Sequence, residues 1–217
     1  MIRPLPPVNA NTLGSRVPRR GHVLLAWLAR VVLRLLGWRI VGALPDVPKA
    51  VLIVAPHTSN YDGLVGISAI QALRIHVRFM GKHTLFTGRA GGLMKWLGGI
   101  PVDRGSADDV VAQTTAYMRK EPFWLGLAPE GTRKGAERWK TGFYRIAEAM
   151  QIPVVVIGFC YRRKQVRIVD SFVPGGDLDA DMARIHDHLA DIEPRRPERL
   201  STPLRYRRLS DSSQARR

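Results

Sequence analysis

Short unbroken apolar runs and longer segments of helical spacing alternate along this chain. Val51 to Val54, Val77 to Met80, Phe123 to Ala128 and Pro153 to Tyr161 read as strands buried on both faces. Trp38 to Gly42 is a candidate first strand, and Gln165 to Phe172 can return as a hairpin on the run before it. Between them, Asp62 to Leu73 places Leu64, Ile67, Ile70 and Leu73 at helical intervals. Asp108 to Lys120, Thr141 to Met150 and Asp179 to Ile192 show the same period, and Leu93 to Leu97 is a short helical piece. The alternation predicts an α/β fold: one domain with a mixed, mostly parallel sheet covered by helices.

The N-terminal part adds an amphipathic helix. Residues 23–41, VLLAWLARVVLRLLGWRIV, are apolar, but Arg30 and Arg34 interrupt them one helical turn apart. Two arginines at a bilayer centre would each cost about 2.5–3.5 kcal/mol, which argues against a membrane span. Two readings stay open: a helix lying in the membrane surface, or a helix packed on the domain with its arginines in water. Residues 1–20 carry four arginines and no acid and read as a flexible basic lead-in. From Pro194 on, arginine, serine and proline dominate, which predicts a disordered basic tail. The organisation expected is a lead-in over 1–20, a membrane-surface helix over 21–41, a domain over 42–193 and a tail over 194–217.

Charge narrows the partners. With 34 Lys and Arg against 18 Asp and Glu, the net charge is +16, which calls for an anionic partner. Nucleic acid, an anionic membrane surface and a phosphorylated substrate all qualify. No helix-turn-helix, zinc spacing or aromatic RNA-binding string is present, so nucleic acid is not expected. Six of the net charges come from residues 194–217, eight Arg less Glu198 and Asp211. The single cysteine, Cys160, lies in an apolar run and reads as a core residue. No group of residues has metal-ligand spacing; His186 and His188 fall on opposite sides of their helix.

Three polar loops follow three apolar runs, and sites in α/β sheets form at the carboxyl ends of strands. The first loop is Ala55-Pro56-His57-Thr58-Ser59-Asn60-Tyr61-Asp62-Gly63. A histidine beside a carboxylate can take a proton from a hydroxyl, with the carboxylate orienting the ring. The competing reading is a helix-capping aspartate with a histidine nearby by chance. The second loop follows Gly99-Ile100-Pro101-Val102 and carries Asp103 and Arg104. The third is Pro129-Glu130-Gly131-Thr132-Arg133. Two arginines beside a base suit an alcohol that also bears a phosphate.

His57 with Asp62, the Gly99–Arg104 segment, the Pro129–Arg133 string and the apolar Ile152-Pro153-Val154-Val155-Val156 occur in the order of four motifs. In this the chain resembles the glycerolipid acyltransferase family, which includes 1-acylglycerol-3-phosphate acyltransferases. The resemblance covers roughly residues 50–160. It departs from the family pattern at Pro101 and around Val156 and Ile157.

The resemblance implies acyl transfer from acyl-CoA or acyl-carrier protein to the hydroxyl of a lysophospholipid, in phospholipid biosynthesis. His57 would be the base and Asp62 its orienter. Arg104 and Arg133 would hold the acceptor phosphate, with Lys82 a further candidate. Glu130 would position Arg133 or a sugar hydroxyl, Thr132 would join the substrate contacts, and the Gly131 loop would stabilise an oxyanion. No cofactor and no metal is expected, and the protein would sit peripherally on the cytoplasmic face of the membrane. Alternatives are a non-phosphate acceptor, such as a lyso-amino-acid lipid, or a non-catalytic basic protein that binds anionic membrane or nucleic acid.

Overall fold

A computed structural model describes residues 5–88, 91–102 and 107–214. Its strands are β1 (Arg39–Val41), β2 (Ala50–Val54), β3 (Val77–Lys82), β4 (Gly99–Val102), β5 (Trp124–Leu127), β6 (Val154–Cys160) and β7 (Gln165–Phe172). They form a seven-stranded sheet in the order β1-β7-β6-β2-β5-β3-β4. β6, β2, β5, β3 and β4 run parallel, β7 is antiparallel to β6, and β1 is parallel to β7. This is the mixed, mostly parallel sheet expected, and β6 and β7 form the expected hairpin.

The helices are α1 (Val23–Leu35), α2 (Asn60–Leu73), α3 (Gly91–Trp96), α4 (Ala107–Lys120), α5 (Gly142–Met150), α6 (Leu178–Leu189) and α7 (Thr202–Gln214). Alternate residues of the central strand feed two cores, as the period of two requires. Val51 and Ile53 pack with Phe143, Ile146, Ile185 and Leu189 of α5 and α6. Ala50 and Leu52 pack with Ala29, Leu33, Val65 and Ala69 of α1 and α2. The connection from β2 to β3 runs through α2 on one face, and that from β5 to β6 runs through α5 on the other. The chain thus leaves the neighbouring strands β2 and β5 in opposite directions, the switch point at which α/β sheets open a crevice.

Three boundaries differ from the expectation. Residues 5–20 are tied down. Val8 N–H donates to Ile40 O at 2.9 Å along the β1 edge, His76 N–H donates to Pro18 O at 2.7 Å, and Val17 is buried. The Arg19 guanidinium also reaches Leu73 O at 3.2 Å, a carbonyl that the end of α2 leaves open. The N-terminal helix stops at Leu35, and Arg39–Val41 is an edge strand of the sheet. The segment after Pro194 is not a disordered tail as far as Gln214. Leu200 and Leu204 enter the core, Thr202 N–H donates to Ala136 O at 2.9 Å, and α7 follows. Composition hid this, because two well-spaced leucines anchor a segment that is otherwise polar.

α1 meets both open readings in part. Ala26, Ala29 and Leu33 pack on the domain, while Leu24 and Leu35 are 67% and 81% exposed and Trp27 is also exposed. Among the described residues, no helix is long and apolar enough to cross a membrane.

Candidate active site

The loop after β2 turns directly into α2. Ser59 is the N-cap, its hydroxyl accepting from Tyr61 N–H at 3.2 Å. Asp62, three residues on, accepts from Ser59 N–H at 2.9 Å and completes a capping box. Asp62 also accepts from Thr58 N–H at 2.8 Å and from the Ser59 hydroxyl at 3.2 Å. The capping and functional readings are therefore not rivals, since the carboxylate that starts the helix also faces the histidine. Asp62 Oδ2 lies 3.3 Å from His57 Nδ1, and no other group among the described residues engages that nitrogen. The contact is long for a hydrogen bond and becomes an ion pair once the ring takes a proton.

A second hydroxyl holds Asp62 from the end of β6. Tyr161 O–H donates to Asp62 Oδ1. Burial alone would push the Asp62 carboxyl up, but bonds from His57, Tyr161 and Ser59 outweigh it and hold its pKa below the ordinary value. Tyr161 is pushed far up, by burial and then by Asp62, and keeps its proton. The sequence signal for Tyr161 was a polar tip closing a strand that is otherwise wholly apolar.

The loop after β5 supplies the other half. β5 lies beside β2 and runs parallel to it, so both loops emerge at one end of the sheet. Arg133 Nε donates to His57 Nε2 at 3.0 Å. Nε2 thus acts as acceptor, which fits the tautomer with its proton on Nδ1, towards Asp62. The terminal nitrogens of Arg133 make no hydrogen bond or ion pair among the described residues. His57 has 16% of its side chain exposed against 0% for Asp62, so the ring joins a buried carboxylate to an open cleft.

Glu130 does something the sequence did not reveal. It is 4% exposed and faces the His57 backbone, accepting its N–H at 2.7 Å through Oε2. It does not pair with Arg133. Burial pushes its carboxyl above the ordinary value, against the lowering pull of the His57 N–H and the Ser201 hydroxyl. Ser201 is itself fully buried and accepts from Trp139 Nε1 at 3.0 Å. Nothing in the polar sequence around Ser201 marked it.

Gly131 departs from its expected role as an oxyanion donor. Its N–H is committed to Ala128 O at 3.1 Å. Glycine is needed there for the backbone, since its φ is +64° and a β-carbon would press on the Lys140 side chain. Thr132 Oγ accepts from Lys134 N–H at 3.2 Å and shapes the turn. Arg104 and the side chain of Lys82 lie outside the described residues.

A sequence model of the acyltransferase family matches residues 41–159, more than half of the chain. The chain belongs to the acyltransferase family. The matched span of this acyltransferase includes His57, Asp62, Glu130 and Arg133, while Tyr161 and Ser201 lie beyond it. Its fold is similar to that of the 1-acyl-sn-glycerophosphate (LPA) acyltransferase PlsC from Thermotoga maritima, with a TM-score of 0.51 at 15% identity. That alignment covers 74% of this acyltransferase and 72% of the other chain. No curated protein matches it by sequence.

Proposed function

We propose that this acyltransferase moves a fatty acyl group from a thioester, acyl-CoA or acyl-carrier protein, to the hydroxyl of a lysophospholipid such as 1-acylglycerol 3-phosphate. One observation carries the reading: His57 stands between the Asp62 carboxylate at Nδ1 and the Arg133 guanidinium at Nε2. In the reaction His57 Nε2 takes the proton of the acceptor hydroxyl. The alkoxide oxygen attacks the thioester carbonyl carbon, and a C–O bond forms. The C–S bond then breaks, and the leaving thiolate recovers the proton from the imidazolium. Asp62 stabilises the imidazolium between these two transfers.

Arg133 must leave Nε2 before the hydroxyl can reach it. A phosphate on the acceptor supplies the counter-charge that draws the guanidinium away. Arg104, and Lys82 with it, would share that phosphate. Thr132 would contact substrate at the loop tip. The proposed steps invoke no resident cofactor.

Features of the surface support a partner and a location. Leu24, Trp27, Leu28 and Leu35 of α1 are exposed. Leu24 and Leu28 line a groove with Trp96 of α3, of about 420 Å³. An apolar helix face on a strongly basic protein suits peripheral attachment to an anionic, cytoplasmic membrane face.

The test is turnover by purified protein with lysophospholipids and lyso-amino-acid lipids, each offered with acyl-CoA and acyl-carrier protein. Wild type is expected to acylate the phosphate-bearing acceptor. His57→Ala, with circular dichroism unchanged, is expected to lose transfer to background. Full turnover in that variant would remove His57 as base, and a preference for the phosphate-free acceptor would remove the phosphate role of Arg133.

A further inference from the structure

Three arginines surround a second cavity, outside the candidate active site. Arg30 and Arg34, one turn apart on α1, and Arg39 at the start of β1 line a space of about 420 Å³ over Leu33, Trp38 and Ile40. All three arginine side chains are exposed, and no carboxylate or carbonyl among the described residues pairs with them. Elsewhere Arg78 pairs with Glu121, Arg162 with Glu193, Arg167 with Asp191 and Arg184 with Asp170. A fourth cation, Lys164 Nζ, sits 5.8 Å from the centre of the Trp38 ring.

Trp38 belongs to the cavity floor. It is 3% exposed, and its indole N–H is buried without an acceptor among the described residues. That N–H is sealed from solvent, so the indole serves the cavity as an apolar wall. The three guanidiniums are donors without acceptors of their own. The floor beneath them, Leu33 and Ile40, is apolar. An anionic oxygen cluster carried on an apolar body satisfies both halves of such a cavity.

We infer that the α1–β1 cavity binds the phosphate group of an anionic amphiphile, separately from the acyl acceptor. The exposed Leu35, on the last turn of α1, continues the apolar surface from the arginines outward. The cavity thus provides a defined headgroup site at the edge of the helix face assigned above to the membrane. The inference deepens that membrane reading. It is measured by binding alone, so its failure and the failure of acyl transfer are told apart.

The experiment uses full-length protein and sedimentation with phosphatidylcholine vesicles, with and without phosphatidylglycerol. Arg34→Gln/Arg39→Gln is expected to weaken binding to the anionic vesicles roughly tenfold or more. The charge-matched pair Arg119→Gln/Lys120→Gln, on α4 across the sheet, is expected to weaken it about twofold at most. The fold of both double variants is checked by thermal melting. Equal losses from the two charge pairs would mean diffuse attraction and would overturn the site. Soluble glycerol 3-phosphate separates the sources. Displacement from vesicles, lost in Arg34→Gln/Arg39→Gln, assigns a free phosphate monoester, and failure to displace assigns the bilayer lipid.

Discussion

Asp62 and Glu130 are both buried carboxylates, and both hold His57, one by its ring and the other by its backbone. Their surroundings treat the charge in opposite ways. Asp62 receives donors on both oxygens, from Thr58 and Ser59 on Oδ2 and from Ser59 and Tyr161 on Oδ1, with the His57 ring 3.3 Å from Oδ2. Glu130 receives the His57 N–H on Oε2, the Ser201 hydroxyl favours its charged form, and Oε1 has no hydrogen bond among the described residues. The outcome is a carboxyl held below its ordinary value in one case and above it in the other. Depth of burial therefore does not decide the state of a buried acid; the number of converging donors does. Of the two, Asp62 is fitted to stay charged through a reaction that makes an imidazolium.

Four variants test this contrast. Asp62→Asn removes the charge and is expected to lower kcat on the order of 10³-fold at saturating substrate. A loss below about tenfold would reduce Asp62 to a helix cap. Arg133→Ala is expected to raise the KM for a phosphate-bearing acceptor roughly 10- to 100-fold, as the loss of a charged hydrogen bond implies. Initial-rate kinetics against a phosphate-free acceptor, with little change expected there, check that assignment.

Glu130→Gln keeps an acceptor for the His57 N–H, so kcat is expected to fall by less than about tenfold. Its stability should show a pH signature. A carboxyl raised in the folded protein contributes stability below its unfolded value, near 4.5, and loses it as pH rises through the folded value. Melting curves across that window should show the variant gaining on wild type as pH rises. Asp62, being lowered, works the other way: its contribution is present above 3.8 and is lost as pH falls through the folded value. Tyr161→Phe takes away one of its donors and is expected to cost about 1 kcal/mol of stability and a few-fold in kcat. The acid loss of stability still begins near 3.8 but should be smaller and complete at higher pH than in wild type, since the folded value moves up towards the unfolded one; an unchanged profile would show that Tyr161 does not govern Asp62.

Much of the scaffold was legible. β2, β6 and the β6–β7 hairpin stand out because buried strands are nearly continuous in Val and Ile. His57, Asp62 and Arg133 could be singled out because their chemistry is local to short strings. The role of Glu130 could not, because a sequence displays a charge but not the backbone it faces across a neighbouring strand. The packing of residues 194–204 was hidden for a related reason. A composition average over arginine and serine conceals Leu200 and Leu204, whose burial depends on Trp139 and the core being there to receive them.

The same C-terminal segment reaches the histidine loop, where Arg196 N–H donates to Thr58 Oγ across a separation of 138 residues. Asp62, by contrast, draws its helix-capping donors from within four positions. During translation the cap on α2 can therefore form almost as soon as it leaves the ribosome tunnel, whereas the opposite wall waits for codons read much later. A polypeptide arrested before those codons would lack the Arg196 contact that ties the histidine loop to the C-terminal segment.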